Sequence, residues 1–520
     1  MRFPQIPSME RVFKLFEYPP LNQGDLALKD KLKPFHFVGA GNNNTFFNYN
    51  GVSVCQNAMP DVDPFKAEAV LDSPEKKLYI AAGAKNIADD VIRPFAAGIL
   101  DDLKNRTTTG WDHMMKYELH STRSYMSIAY EPDPKLNLPK GPLPSDVVNW
   151  CETFDKSTGW YDRSLSETVL EAIAFGWQPD SKTRPTHWFC IDGGSEEIAK
   201  TMRDYIVSRP DGSNRIVYNS RVTSIALNDK SMQVVANNTD QYEFSHVIST
   251  IPLPVLRVMD LSKAELAPLQ SNAIRELNYG PSIKIGLQFR SAWWTTGRDR
   301  NNRPLNIVGG QTYTDRPLRT VVYPSFGNIQ AGETTTLIAS YCWTEDAERL
   351  GALIDKDDET LKTIVLKELA EIHNVSQEFL RGQLIGYHAW SWSHDPYTMG
   401  AFAFFGPSKF GSLYKSLTIP AAKGRLHFAG EAVSVRHAWV EGALDSAWRA
   451  VSELLVFPGY QQYKEKFYKN WGINEEWIDT PKSGDTSAGG KFPILKSGKL
   501  EINHDLILRH MAFMQPELFE

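Results

Sequence analysis

Cysteine is scarce. Four occur in 520 residues, Cys55, Cys151, Cys190 and Cys342, with no paired spacing. That excludes a dense disulfide frame and a zinc motif of the usual kind. His388 and His394 lack a third donor at ligand spacing, so no metal is assigned. No block of Lys and Arg occurs and the net charge is −6, which argues against a nucleic-acid footprint. No stretch is apolar for long enough to span a bilayer. The opening, MRFPQIPSMERVF, has no apolar leader segment. The default expectation is a cytoplasmic chain with neither membrane nor nucleic acid among its partners. No internal repeat is found.

Hydrophobic residues make up 42% and charged residues 23%, as in a soluble globular protein with room for two or three domains. Fourteen Trp suit large apolar pockets without identifying one. The most organised stretch is Arg425 to Val451, RLHFAGEAVSVRHAWVEGALDSAWRAV. It reads as strand, turn, loop and helix. Leu426 and Phe428 alternate with Arg425 and His427, as in a half-buried strand. Gly430 permits close backbone approach to a ligand. Glu431 stands at the mouth of the turn. Val440, Leu444, Ala447, Val451 and Leu454 repeat at helical spacing. The small residues Gly442, Ala443 and Ala447 let this helix approach a sheet or a flat ligand. Without its full string, the pattern is an ordinary βα unit.

Elsewhere, Ile87, Val91, Ile92, Phe95, Ala96 and Ile99 predict a helix, and Ser145 to Phe154 another. Ser164 and Glu167 fit a capping box. Trp188 to Ile191 reads as a strand leading to a helix capped by Ser195. Ile216–Tyr218, Arg221–Ile225, Met232–Val235 and Val247–Thr250 read as strands. So do Ile283–Phe289, Thr320–Pro324 and Thr335–Trp343, and Asp357–Ile372 reads as a helix. The glycine turn Val38–Asn44 has Asn44 where a third glycine of G-x-G-x-x-G belongs. With Phe46–Gly51 after it, it is expected to be a hairpin. Phe457 to Trp477 reads as an arm, Pro481–Lys491 as a flexible linker, and Ile494–Glu520 as peripheral.

The Arg425–Val451 string resembles the C-terminal flavin-binding motif of the flavin-dependent amine oxidase family, in particular the fungal-type L-amino-acid oxidases. Met1-Arg2-Phe3-Pro4 and the Trp392–Gly400 segment, with its Asp395-Pro396-Tyr397, resemble further motifs of those enzymes. The resemblance covers about Arg2 to Leu455. It implies an α+β fold with an FAD/NAD(P)-binding, Rossmann-like flavin domain, a mixed-sheet substrate domain and a helical subdomain. No strand–GxGxxG–helix unit precedes Arg2, so the flavin domain is expected to be incomplete at its N-terminus.

The expected division is 1–72 (substrate-domain segment), 73–185 (helical), 186–280 (flavin), 281–415 (substrate), 416–456 (flavin) and 457–520 (arm and tail). By resemblance, the cofactor is FAD, held by Val222, Gly430, Glu431, Trp439, Gly442 and Ala443. Arg2 and Tyr341 take the substrate carboxylate, as a guanidinium fork suits it. The Ala438 carbonyl and Trp439 stand at the amine. Lys284 orders a water, and on a pocket wall its pKa would fall. Trp392 and Phe402 are candidate lining residues, with core packing the ordinary role of such aromatics. The implied reaction is oxidative deamination of L-amino acids by oxygen, giving 2-oxo acid, ammonia and hydrogen peroxide. The partners are an amino acid and oxygen, with a homodimer open. Two alternatives stay open: a truncated or inactive relative that does not bind FAD on its own, and a polyamine or other amine oxidase.

Overall fold

The computed structural model describes residues 2–472, apart from 7–8, 25–26, 41–43, 61–62, 106, 178, 180–185, 211, 213–214 and 330–331. The expected linker and peripheral tail lie outside the described residues, as does part of the Val38–Asn44 turn. The fold is α+β, built on two buried cores.

The larger sheet has seven strands, in the order Leu384–Ser391, Ser282–Phe289, Thr336–Trp343, Thr320–Val322, Gln311–Thr314, Phe46–Tyr49 and Val52–Cys55. All its pairings are antiparallel except that of Gln311–Thr314 with Phe46–Tyr49. The last two strands form a hairpin that turns at Asn50–Gly51, beyond the Val38–Asn44 turn expected to make one. From Ile283 onwards, strand Ser282–Phe289 alternates between buried and less buried residues. Ile283, Ile285, Leu287 and Phe289 are at most 1% exposed and share a core with Leu361, Val365 and Leu369 of helix Asp358–His373. Period-two alternation therefore turns Lys284 to the opposite face.

The second core joins the helical segments to the remaining strands. Helix Ala84–Asn105 buries Ile87, Val91, Phe95 and Ile99. Ser145–Asp155 and Leu165–Ala174 are helices close to the expected bounds. Strand Leu426–Phe428 pairs in parallel with Val247–Ser249. All three of its residues are buried, His427 included, so it is not the half-buried strand that alternation suggested. His427 tolerates this because its Nδ1 meets Glu453 at 2.7 Å.

Three local readings need correction. Ile216–Tyr218 is not a strand; the three-stranded sheet that follows is Val222–Asn228, Ser231–Ala236 and Asp240–Phe244. Ser164 does cap its helix, accepting from Ser166 N, but Glu167 is drawn away to a tertiary partner described below. Ser195 precedes its helix without a side-chain capping bond. Cys151, Cys190 and Cys342 are free thiols. Among the described residues, no helix is long and apolar enough to cross a membrane.

Candidate active site

The Gly430 turn opens onto a cavity of about 310 Å³. Its walls come from Ser249–Leu253, from Phe428–Val433 and from Ala443 and Ala447 of helix Val440–Leu454. Gly430 has φ +135°, a conformation that favours glycine, and no heavy atom stands within 4 Å of where a Cβ would be. Ala443 and Ala447 are small where the helix faces the cavity, as the spacing predicts. Gly442 is different. A Cβ there would meet Ser434 Oγ at 2.2 Å and the Arg436 carbonyl oxygen at 2.5 Å. Its glycine is required by packing of the helix on its own preceding loop.

That helix is held firmly at its start. Asp445 pairs with buried Arg436 and receives Arg11 Nε at 2.8 Å. Glu441 accepts from the backbone N–H groups of Arg11 and Val12 at 3.0 and 2.7 Å. It thereby serves the first turn of helix Glu10–Phe16, whose own N-cap, Met9, offers no acceptor. Burial, with Asp445 nearby, pushes the Glu441 carboxyl up to about 8.

The same anchoring fixes the segment around Arg2. Phe3–Gln5 is a strand registered against His187–Phe189, and Phe3 packs edge-on against Phe16 at 5.2 Å. The Arg2 guanidinium lies over the Phe37 ring at 4.8 Å. Its charge reaches three residues of the large sheet: Lys284, Tyr341 and Tyr313. Lys284 stands directly opposite Tyr341 in the antiparallel register. Its Nζ is 4.9 Å from the Tyr341 ring centroid and 5.4 Å from that of Trp392. Burial, with the Arg2 charge added, lowers the Lys284 ammonium to about 8. Burial raises the Tyr341 hydroxyl, and Arg2 partly offsets this.

The loop before helix Val440–Leu454 is tied to the glycine turn through Glu431. Ala438 is exposed between buried His437 and Trp439 and has φ +67°. Its N–H donates to Glu431 Oε2 at 2.8 Å, while Glu431 Oε1 accepts from Ala403 N at 2.9 Å. The Tyr279 hydroxyl lies near Glu431, and burial followed by that carboxylate raises its pKa. Burial raises the Glu431 carboxyl, and the His437 charge opposes that rise. Trp439 packs edge-on against Phe175 at 4.9 Å.

Arg2, Lys284 and Tyr341 are thus brought together, and so are Gly430, Glu431 and Ala443. Val222 does not line the cavity; it packs against the larger core from the separate three-stranded sheet. Sequence reasoning missed Glu167, His437, Tyr279 and the half-buried Lys156–Glu171 pair, 3.3 Å apart. Only Glu167 carried a signal, and it pointed to a cap. Gly400, singled out by its motif, does line the cavity.

The profile of the family described as "Flavin containing amine oxidoreductase" matches residues 24–455. The chain belongs to this family. L-amino-acid oxidase 4 of Hebeloma cylindrosporum is 48% identical over 486 residues, which span 92% of this chain and 74% of that protein. The cytotoxic L-amino-acid oxidase of Amanita phalloides is 58% identical over 146 residues, 28% of this chain and all of that sequence. Among solved structures, putrescine oxidase bound to putrescine is similar with TM-score 0.58 at 14% identity, covering 87% of each chain. Cyclohexylamine oxidase from Brevibacterium oxydans has TM-score 0.55 at 11% identity, covering 91% of this chain and 88% of that one. Those two likenesses concern the fold alone.

The cavity suits the flavin of this family on chemical grounds. It joins an open glycine turn to Ala443 and Ala447 of helix Val440–Leu454, towards its N-terminal end, where the helix dipole favours an anionic chain. Ser249 contributes a buried hydroxyl with no partner among the described residues.

Proposed function

We propose that this chain is an FAD-dependent L-amino-acid oxidase, converting L-amino acids and oxygen to 2-oxo acids, ammonia and hydrogen peroxide. The observation that carries the reading is the convergence of Arg2, Lys284 and Tyr341 on one face of the large sheet. The names of the fungal relatives support the same class of substrate. Gly430, Glu431, Ala443 and the start of helix Val440–Leu454 would hold the FAD, with Gly442 and Trp439 fixing the helix start. Bound there, FAD supplies a two-electron acceptor that takes a hydride from the substrate Cα and passes its electrons to oxygen.

The chain's own residues do the rest. The Arg2 guanidinium takes the α-carboxylate by charge-assisted hydrogen bonds, with the Tyr341 hydroxyl as a second donor. The Ala438 carbonyl accepts from the α-amine, and Trp439 closes that side to water. Lys284, with its pKa near 8, holds a water and exchanges its proton near neutral pH. Hydrolysis of the released imine completes the reaction. A free amine such as putrescine has no carboxylate for Arg2 to bind.

The reading is tested by following peroxide formation by the flavin-loaded protein with separate L-amino acids, their D-enantiomers and putrescine. Peroxide from L-amino acids alone is expected. Turnover of putrescine in preference to amino acids would contradict the reading.

A further inference from the structure

Helix Leu165–Ala174 touches the Ala438 loop on both sides. Near its start, the Glu167 carboxylate meets His437 Nδ1 at 2.9 and 3.0 Å from its two oxygens. One of those oxygens also accepts from Phe405 N at 3.0 Å. At its end, Phe175 packs on Trp439. The His437 ring is confined further by Phe405 and Phe410, at 4.4 and 5.9 Å between centroids. Between these two anchors stands Ala438, exposed and left-handed at φ +67°. A residue with a Cβ is strained there and stays only if its surroundings impose the conformation.

We propose that Glu167 and His437 are a positioning pair that clamps the Ala438–Trp439 turn, so that the Ala438 carbonyl is aimed at the substrate amine. The proposal rests on the reading of the site as an amino-acid oxidase. The charged and titratable groups around the pair come from several elements. Glu431 faces His437 from the glycine turn, with the Tyr279 hydroxyl nearby. Arg163 and Glu171 face Glu167. Burial lowers the His437 imidazolium, but Glu167 and then Glu431 more than offset this, and its pKa lies above the ordinary histidine value.

The test uses the flavin-loaded full chain and two readouts. The first is hydrogen–deuterium exchange of the peptide spanning 434–442. The second is kcat/KM for the best L-amino-acid substrate. In Glu167→Gln, exchange of that peptide and loss of kcat/KM are each expected to change by about tenfold or more, with bound flavin and melting midpoint close to wild type. His437→Asn keeps a donor near the Nδ1 position and is expected to recover most of what His437→Ala loses. Equal losses in His437→Asn and His437→Ala, or unchanged exchange in Glu167→Gln, would overturn the proposal. If Glu167→Gln does not fold, the two His437 variants decide it. Wild-type protein without amino-acid turnover would sink the oxidase reading, while the exchange data would still test the clamp.

Discussion

Replacing Lys284 with methionine should make the protein more stable at neutral pH. The buried ammonium is held at about 8 against 10.5 for a free lysine, which corresponds to about 3 kcal/mol of unfavourable charge burial. Attraction to the Tyr341 and Trp392 rings returns roughly 1–2 kcal/mol, leaving a net cost of about 1–2 kcal/mol. Methionine has a similar reach and no charge to desolvate. For 520 residues, unfolding entropy near about 1.1 kcal/mol/K translates that into a rise in melting midpoint of about 1–2 °C. The sign of the pH dependence follows from the lowered pKa. Between about pH 8 and 10.5 the unfolded chain still carries the proton and the folded chain has lost it, so wild-type stability rises with pH there. The Met advantage is therefore full below pH 8 and fades towards pH 10.5. Calorimetric melting of both proteins at pH 7 and pH 10 measures it. A Met variant less stable than wild type at pH 7, or a difference that does not change with pH, would refute the reasoning.

Three further outcomes are expected. Arg2→Ala should lower kcat/KM for L-amino acids by roughly ten- to a hundredfold through loss of charge-assisted bonds, with little change in melting midpoint; an unchanged kcat/KM counts against the carboxylate role. Gly442→Ala should cost about 1–3 kcal/mol, read from melting, because its Cβ would press on Ser434 Oγ and the Arg436 carbonyl. Ala443→Leu should leave the fold intact by circular dichroism but displace the flavin, since Ala443 lines the cavity; a variant that retains the visible flavin band contradicts that placement.

Much of this was legible from pattern alone. Strand Ser282–Phe289 announces itself because its apolar residues fall on one face of a half-buried sheet, and that same period puts Lys284 on the other. Helix Val440–Leu454 is legible for the equivalent reason. The resemblance added what pattern cannot supply, the link between Arg2 and two strands some 280 and 340 positions away. Glu167 and His437 stayed hidden because they are 270 positions apart and meet only through tertiary packing. Glu167 was misread because a local cap and a distant histidine partner ask for the same residue type. Strand Asp240–Phe244 escaped because all five of its residues are exposed, which removes the alternation that marks a strand. Leu426–Phe428 misled in the opposite way. A buried hydrogen bond to Glu453 made His427 an interior residue, so a polar letter stood where the surface was expected.

The central claim is that the cleft beside Gly430 holds a flavin that is reduced by L-amino acids. The direct measurement is the visible absorption spectrum of the purified chain, after incubation with FAD, before and after adding a mixture of L-amino acids without oxygen. The account predicts a flavin band that bleaches with L-amino acids and not with their D-enantiomers. A colourless protein that takes up no FAD, or a bound flavin that L-amino acids leave oxidised, would contradict it.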